Sequence, residues 1–290
     1  MRIHHLSCGT MCPLGGRLWD GFSSPLRGAK IVCHCLVIET EAGLVLVDTG
    51  FGLRDVEQPQ RLNPLFRLAN RIRLREADTA LRQIEALGFT AADVRHIVLT
   101  HLDFDHAGGI EDFPQATVHI FGAEHDAAQA QTSVLGRARY RPTQWSGQID
   151  WQRYAPEGER WYGFSCVREL VGVPPEILIV PLAGHTPGHC GIAVRAPEGW
   201  LLHAGDAYFF RGEMDLREYH CTPMLRLYQR MMAADNKTRL ANQTRLRQLK
   251  RAHGREIQLF CAHDAKELEA FPRIVTEPMP ATTARLSQHA

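Results

Sequence analysis

Short apolar runs that alternate with helical stretches are the feature that most constrains the fold of this 290-residue chain. Residues 33–40 and 43–50 are apolar runs joined by a short turn, a pattern that predicts a β-hairpin. Further strand-length apolar runs cover 95–101, 116–122 and 176–182. Apolar residues recur at helical spacing over 63–75, 76–88, 222–234 and 236–253. This order predicts two β-sheets packed together, with helices outside them.

Composition and charge limit the classes of function. The chain is 44% hydrophobic and 22% charged, as ordinary globular proteins are. Its formal net charge is +1, whereas a general nucleic-acid binder carries a basic excess, so we expect no nucleic-acid partner. Because the sequence contains no apolar run of about 20 residues, we expect no stable membrane insertion. The first residues also lack the basic-then-apolar order of a secretory signal.

Eight cysteines bear on the compartment and on metal binding. A disulfide scaffold is normally short and dense in cysteine, and this chain is neither. We therefore expect reduced thiols and a cytoplasmic protein. The spacing of Cys8 with Cys12 and of Cys33 with Cys35 is not that of a structural zinc site. These side chains are interpreted as packed thiols.

The segment with the clearest chemistry is THLDFDHAGG, residues 100–109, which follows an apolar strand. It brings His101, Asp103, Asp105 and His106 within six residues. Imidazole nitrogen and carboxylate oxygen are the ligands that zinc and iron accept, and the following glycines let the backbone approach closely. Three later segments end strands with the same chemistry, and their candidate ligands are His185 or His189, His203 or Asp206, and His263 or Asp264.

These four segments resemble the metallo-β-lactamase superfamily, whose signature H-x-H-x-D-H is followed downstream by a histidine, an aspartate and a histidine. The resemblance covers roughly residues 30–270. It implies an αββα sandwich of two mixed β-sheets flanked by helices, with the site at one edge of the sheets. Within the superfamily, residues 101–109, residues 185–189 and His263 with Asp264 look like those of N-acyl-homoserine lactonases.

The resemblance implies two divalent metal ions, with zinc favoured and iron or manganese as alternatives. It assigns His101, Asp103 and His185 to the first ion, and Asp206 to both ions. It assigns the remaining ligands, Asp105, His106 and His263, to the second ion.

The resemblance also implies a reaction, in which a metal-bound hydroxide attacks the carbonyl of a small-molecule lactone or related ester. Asp105 would protonate the leaving alkoxide, and Tyr208 would donate a hydrogen bond to the oxyanion. Tyr208 stands one position closer to Asp206 than the tyrosine of these lactonases does. Among other residues, Asp48 is expected to orient a ligand, and His189 to bond the backbone.

Asp103 is the one departure from the signature, because it stands where the family has its second histidine. Asp103 either binds the first ion directly, which favours iron or manganese, or falls short and only hydrogen-bonds its loop. The second outcome leaves that position weak or empty. Two alternatives to a lactonase therefore stay open: a thioesterase or phosphoesterase of the same fold, and a non-hydrolytic iron-binding, redox or degenerate metal-binding protein.

The domain organisation follows from the extent of the pattern. We predict one domain over 1–276, with lid-like helical segments at 51–75 and 210–253, and a loose tail over 277–290. The apolar face around Met224 and Met231 could pack against the domain, contact an acyl chain or form a homodimer.

Overall fold

A computed structural model describes residues 1–272, which form two mixed β-sheets of six strands each. The strands of the first sheet, in spatial order, are β1 (Arg2–Met11), β2 (Ile31–Thr40), β3 (Gly43–Val47), β4 (Val94–Val98), β5 (Thr117–Phe121) and β6 (Asp150–Tyr154). Those of the second sheet are β12 (Ile257–Phe260), β11 (Gly199–His203), β10 (Cys190–Ala196), β9 (Ile177–Pro181), β8 (Phe164–Glu169) and β7 (Glu159–Trp161). The first three strands pair antiparallel, and β3 to β6 run parallel.

Helices cover the outer faces of the two sheets. The α-helices are α1 (Arg17–Asp20), α2 (Leu53–Glu57), α3 (Pro64–Asn70), α4 (Ala80–Ala86), α5 (Gly122–Ala130), α6 (Val134–Arg139), α7 (Pro223–Met232), α8 (Asn236–His253) and α9 (Ala265–Glu269). On the outer face of the first sheet, Leu46 packs in one cluster with Ile84 of α4. On the outer face of the second sheet, Leu202 packs in one cluster with Leu246 of α8.

The strand period explains why one strand serves two packing layers. Successive side chains of a strand point to opposite faces of the sheet. In β2, Leu36 and Ile38 therefore face the second sheet and share a buried cluster with Ile179 and Ile192. Val37 of the same strand points the other way, into the cluster under α4. A strand that is buried on both faces is mostly apolar on both of them. This nearly continuous apolar pattern is the reason why β2 and β3 could be predicted from the sequence.

Some of the predicted elements are confirmed with their predicted bounds, and others are shorter than predicted. The hairpin forms as β2 and β3, and the helix predicted over 236–253 is α8. The helix predicted over 63–75 ends at Asn70, because Arg71 adopts a left-handed backbone conformation with φ 46°. The helix predicted over 76–88 begins only at Ala80, where the Thr79 side chain accepts the amide of Arg82. Leu65 of α3 is 76% exposed, so the predicted apolar stripe is not packed there.

The first strand, β1, was not predicted. Its buried residues alternate with partly exposed ones, as in a strand with one face in the core, but histidines interrupt the apolar pattern. The predicted tail, 277–290, lies outside the described residues, and the single-domain assignment stays a prediction. Within residues 1–272, no helix is long and apolar enough to cross a membrane.

Candidate metal centre

The sequence-predicted ligands converge at one edge of the sandwich, where four strands deliver their following loops. Residues 101–106 follow β4, and His185 lies between β9 and β10. Asp206 follows β11, and His263 follows β12. All of these ligands are buried. Close backbone packing holds the first loop in place: a Cβ at Gly108 would lie 2.6 Å from the carbonyl oxygen of Gly50, so only glycine fits.

The ligands form two groups, and we use these names below. The first group is His101, Asp103, His185 and Asp206, and the second group is Asp105, His106 and His263. Within each group, one ligand atom from every residue lies within 4.8 Å of the others. The structure thus brings together all seven residues that the sequence assigned to metal ions.

Asp206 faces both groups. Its Oδ2 lies 3.3 Å from His185 Nε2 and 3.6 Å from His101 Nε2. Its Oδ1 lies 3.1 Å from His263 Nε2 and 3.4 Å from His106 Nε2. One carboxylate therefore directs an oxygen towards each group, which is the arrangement that a bridging ligand requires.

The residues present fit divalent metal ions. Imidazole nitrogens and carboxylate oxygens are the ligands of such ions, and each group supplies both kinds. His101 Nε2 is fully buried without a hydrogen-bond partner among residues 1–272, although a buried polar nitrogen is costly when it is unpaired. A metal ion bound to the first group would satisfy this nitrogen.

Neighbouring groups orient three of the four ligand histidines. Asp48 Oδ2 lies 2.8 Å from His106 Nδ1, as predicted for Asp48. The carbonyl oxygen of Val32 accepts from His263 Nδ1 at 2.7 Å, and the Thr100 hydroxyl lies 2.9 Å from His101 Nδ1. Partners of this kind fix the ring and the tautomer, so that Nε2 faces the metal.

Arg139, at the end of α6, is a buried cation of the site that the sequence did not reveal. Its Nε donates to Asp103 Oδ1 and its Nη2 to Asp103 Oδ2, both at 2.6 Å. Nη2 also lies 2.6 Å from His185 Nε2. Asp103 therefore lies among the ligands, but its carboxylate is held by a bidentate ion pair, which is among the strongest hydrogen-bonded arrangements in proteins.

The two groups differ in their electrostatic surroundings. Burial and the nearby His106 lower the pKa of His101 to about 4. Burial also opposes charge on His106, but the carboxylates of Asp206 and Asp48 outweigh it and raise the pKa of His106. Burial alone would raise the pKa of Asp103, yet the Arg139 guanidinium holds it well below its usual range. Asp103 is therefore fully ionised beside its arginine.

Comparison with known proteins settles the family. A family model described as "Metallo-beta-lactamase superfamily" matches residues 29–250. The chain belongs to this superfamily. A "probable metallo-hydrolase" of Mycobacterium tuberculosis is 41% identical over 264 residues, which are 91% of this chain and 80% of the relative. An "N-acyl homoserine lactonase" of Bacillus cereus is 25% identical over 169 residues, covering 58% of this chain and 60% of the relative.

Solved structures support the same fold. A structure of an N-acyl homoserine lactone hydrolase, with N-hexanoyl-L-homoserine bound at its catalytic metal centre, matches with a TM-score of 0.69. The two chains are 21% identical, and the match covers 94% of this chain and 96% of that chain. Together with the two six-stranded sheets, this match confirms the αββα sandwich predicted for a member of the superfamily.

A pocket opens over the ligand groups of this superfamily member. Ligands from both groups line it, together with Asn70 of the first predicted lid-like segment and apolar side chains from the second one and from the first strand. The apolar and aromatic lining residues are Met11, Pro13, Trp19, Ile31, Phe104, Phe209, Leu225, Tyr228 and Met232. Metal ligands with an apolar wall are suited to a substrate that has a polar reacting group and an apolar part.

Tyr208 lies away from this pocket. Its side chain is fully buried, and its hydroxyl donates to the Glu267 carboxylate at 3.0 Å. The neighbouring Phe209 faces the pocket instead, in keeping with the one-residue difference in spacing. This position does not support the predicted role of Tyr208 as a donor to the oxyanion.

Tyr228 of α7 is the tyrosine that lines the pocket. Burial and the negative charges of Asp105 and Asp103 raise the pKa of its phenol. Sequence reasoning did not identify this hydroxyl as a donor, because Tyr228 lies in an amphipathic helix outside every ligand motif.

Proposed function

We propose that this superfamily member is a metal-dependent hydrolase that opens the ring of a lactone, with N-acyl homoserine lactones as the first candidates. The observation that carries the proposal is the pair of ligand groups sharing Asp206 at the base of an apolar-walled pocket. The names of its lactonase relatives support the choice of substrate. An apolar wall suits an acyl chain, while the ligand groups suit the lactone carbonyl.

We propose two divalent ions for this site, zinc first, with iron and manganese as alternatives. The structure of a dizinc quorum-quenching lactonase, 17% identical to this chain, matches with a TM-score of 0.58 and supports this choice. Bound there, such ions lower the pKa of a coordinated water and polarise a carbonyl oxygen. The first group, the second group and the shared Asp206 would hold the ions. All eight cysteines are free thiols. Thiols stay reduced in the cytoplasm, so this state of the cysteines supports a cytoplasmic location.

Asp105 is the proposed proton carrier. Its Oδ2 lies 3.7 Å from His263 Nε2, and it also lines the pocket. Without a metal ion, burial outweighs the nearby histidines and raises the pKa of Asp105. A carboxyl in this position could protonate the leaving alkoxide when the ring opens.

The test is ring opening by the purified full chain. Chelator-treated protein is reloaded with Zn²⁺, Mn²⁺ or Fe²⁺ and incubated with acyl homoserine lactones of increasing chain length. We expect release of one proton per turnover and a product heavier by one water, both lost after chelation and in His263→Ala. Chromogenic esters, thioesters and phosphoesters serve as the comparison panel. No turnover of any lactone by metal-loaded protein would rule out the lactonase proposal, and turnover of a thioester or phosphoester would reassign the substrate class.

A pair of tyrosine variants tests the reassignment of the pocket hydroxyl. We expect Tyr228→Phe to lower kcat about tenfold with little change in KM, because the variant loses one polarised donor near the ligand carboxylates. Tyr208→Phe is the matched control, which should keep kcat and lose about 1–3 kcal/mol of stability with its hydrogen bond to Glu267. Steady-state kinetics and urea unfolding distinguish the two. A loss of kcat in Tyr208→Phe alone would restore the original assignment.

A further inference from the structure

We propose that Arg139 acts as a built-in cation that weakens metal binding by the first group, so that the second group fills first and far more tightly. The inference rests on the proposed function only in assuming that the site binds divalent ions. It adds that the two groups are unequal and names the residue responsible.

The contacts of Arg139 engage the atoms by which the first group would bind a metal. Both oxygens of Asp103 accept hydrogen bonds from the guanidinium at 2.6 Å. The same Nη2 lies 2.6 Å from Nε2 of His185, whose lone pair therefore faces a donor. Because arginine stays protonated in proteins, this donor cannot be removed by a change in pH. A metal ion in the first group must displace or share each of these contacts.

Arg139 is held firmly, so it cannot move aside at little cost. Its Nη1 donates to the carbonyl oxygens of Met232 at 2.8 Å and His185 at 3.1 Å. Met232 is the last residue of α7, where the helix dipole favours a cation. The Phe104 amide donates to the Arg139 carbonyl, so the backbone beside Asp103 is tied to the arginine as well. Moving the guanidinium would leave several buried polar groups unpaired.

The charges around the two groups also favour metal binding by the second group. Asp103, Asp105 and Asp206 are the carboxylates of the two groups. Arg139 neutralises Asp103, which leaves two negative charges, enough to balance one divalent ion. Asp48 adds a further negative charge directly behind His106, on the side of the second group. A cation in the first group lies beside the guanidinium, whereas a cation in the second group lies among carboxylates.

The histidines also differ in how they are supported. In the second group, Nδ1 of His106 and Nδ1 of His263 are both paired, with Asp48 and with the Val32 carbonyl. In the first group, Nδ1 of His185 is buried and has no hydrogen-bond partner in the part of the chain that the structure describes. Removing such a partner typically lowers metal affinity by about 10–100-fold. The unpaired His185 and the guanidinium act together, so we expect the metal affinity of the first group to be roughly a hundredfold or more below that of the second group.

The experiment measures metal stoichiometry and affinity rather than catalysis. Chelator-treated protein is titrated with Zn²⁺ against a chromophoric chelator, and the zinc retained after gel filtration is counted by elemental analysis. We expect the wild-type chain to retain one equivalent and to bind a second one weakly. In Arg139→Met the guanidinium is replaced by an uncharged chain, and the protein should retain two equivalents. With Mn²⁺ we expect the same order of affinity, in which one equivalent binds tightly and the second one binds weakly.

Matched variants show which ligand group holds the tightly bound equivalent of zinc. Arg61→Met removes another buried arginine, which pairs with Glu111 at 2.7 Å and not with a carboxylate of either group, and should leave one equivalent. His263→Ala should abolish the tight equivalent, whereas His185→Ala should keep it. This histidine pair decides the question even when Arg139→Met does not fold.

Two results would overturn the inference: two equivalents of similar affinity in the wild-type chain, or loss of the tight equivalent in His185→Ala but not in His263→Ala. Retention of no metal by the wild-type chain would instead overturn the proposed function. The failure of one proposal is thereby distinguished from the failure of the other.

Discussion

Replacing Asp103 by the histidine that the superfamily signature has at this position is expected to destabilise the chain rather than improve its metal site. In Asp103→His the Arg139 guanidinium loses its bidentate partner while it stays 2% exposed. Removing one member of a buried ion pair typically costs about 3–5 kcal/mol, because the remaining charge is buried without compensation. We expect a loss of that size in urea unfolding of metal-free protein.

The compensating change is Arg139→Met. In the double variant Asp103→His with Arg139→Met, no buried charge is left without a partner. Most of the lost stability should therefore return. The first group then has three histidines and Asp206, and it should retain zinc. A double-mutant cycle on metal-free protein gives the coupling between the two residues without a contribution from metal binding.

Asp126→His is the control for this cycle, because Asp126 forms an exposed ion pair with Arg153. Breaking an exposed pair of this kind should change stability by no more than about 0.5 kcal/mol. Wild-type stability of Asp103→His would show that Arg139 does not depend on Asp103, and would remove the main support for unequal ligand groups.

The family resemblance identified the candidate ligands, and each of them lies in a loop that follows a strand. Parallel strands bring their carboxyl ends to one edge, so His101, His185 and His263 meet there although they lie far apart in the chain. The same reasoning predicted the sandwich and the hairpin from apolar periodicity alone. In the fold it missed β1, where histidines replace apolar residues in an alternating pattern, and β6 to β8, where charged residues interrupt the apolar ones.

Arg139 could not be identified from the sequence for a physical reason. An aspartate in place of a ligand histidine indicates that a nearby cation balances its charge, but the chain has 33 lysines and arginines. The pairing depends on a single antiparallel bridge between Asp103 and Tyr140, 37 positions along the chain. Contacts formed by loops have no periodicity, and the same limit applies to Tyr228, which reaches the pocket from α7.

Asp206→Asn is expected to cause a large loss of activity, because it changes the one carboxylate that both groups share. Asp206 is the ligand whose two oxygens face the two groups, and an amide is neutral and offers one oxygen only. We expect kcat/KM for the preferred lactone to fall about 1,000-fold, which corresponds to roughly 4 kcal/mol of transition-state stabilisation. Asp48→Asn, which perturbs the partner of His106 and of Thr100 but no atom that faces both groups, should cost about 10–100-fold. Asp112→Asn makes the same substitution at a carboxylate that accepts the Leu53 amide, and should leave kcat/KM unchanged. An Asp206→Asn enzyme within tenfold of the wild-type rate would show that catalysis does not need a carboxylate shared by both groups.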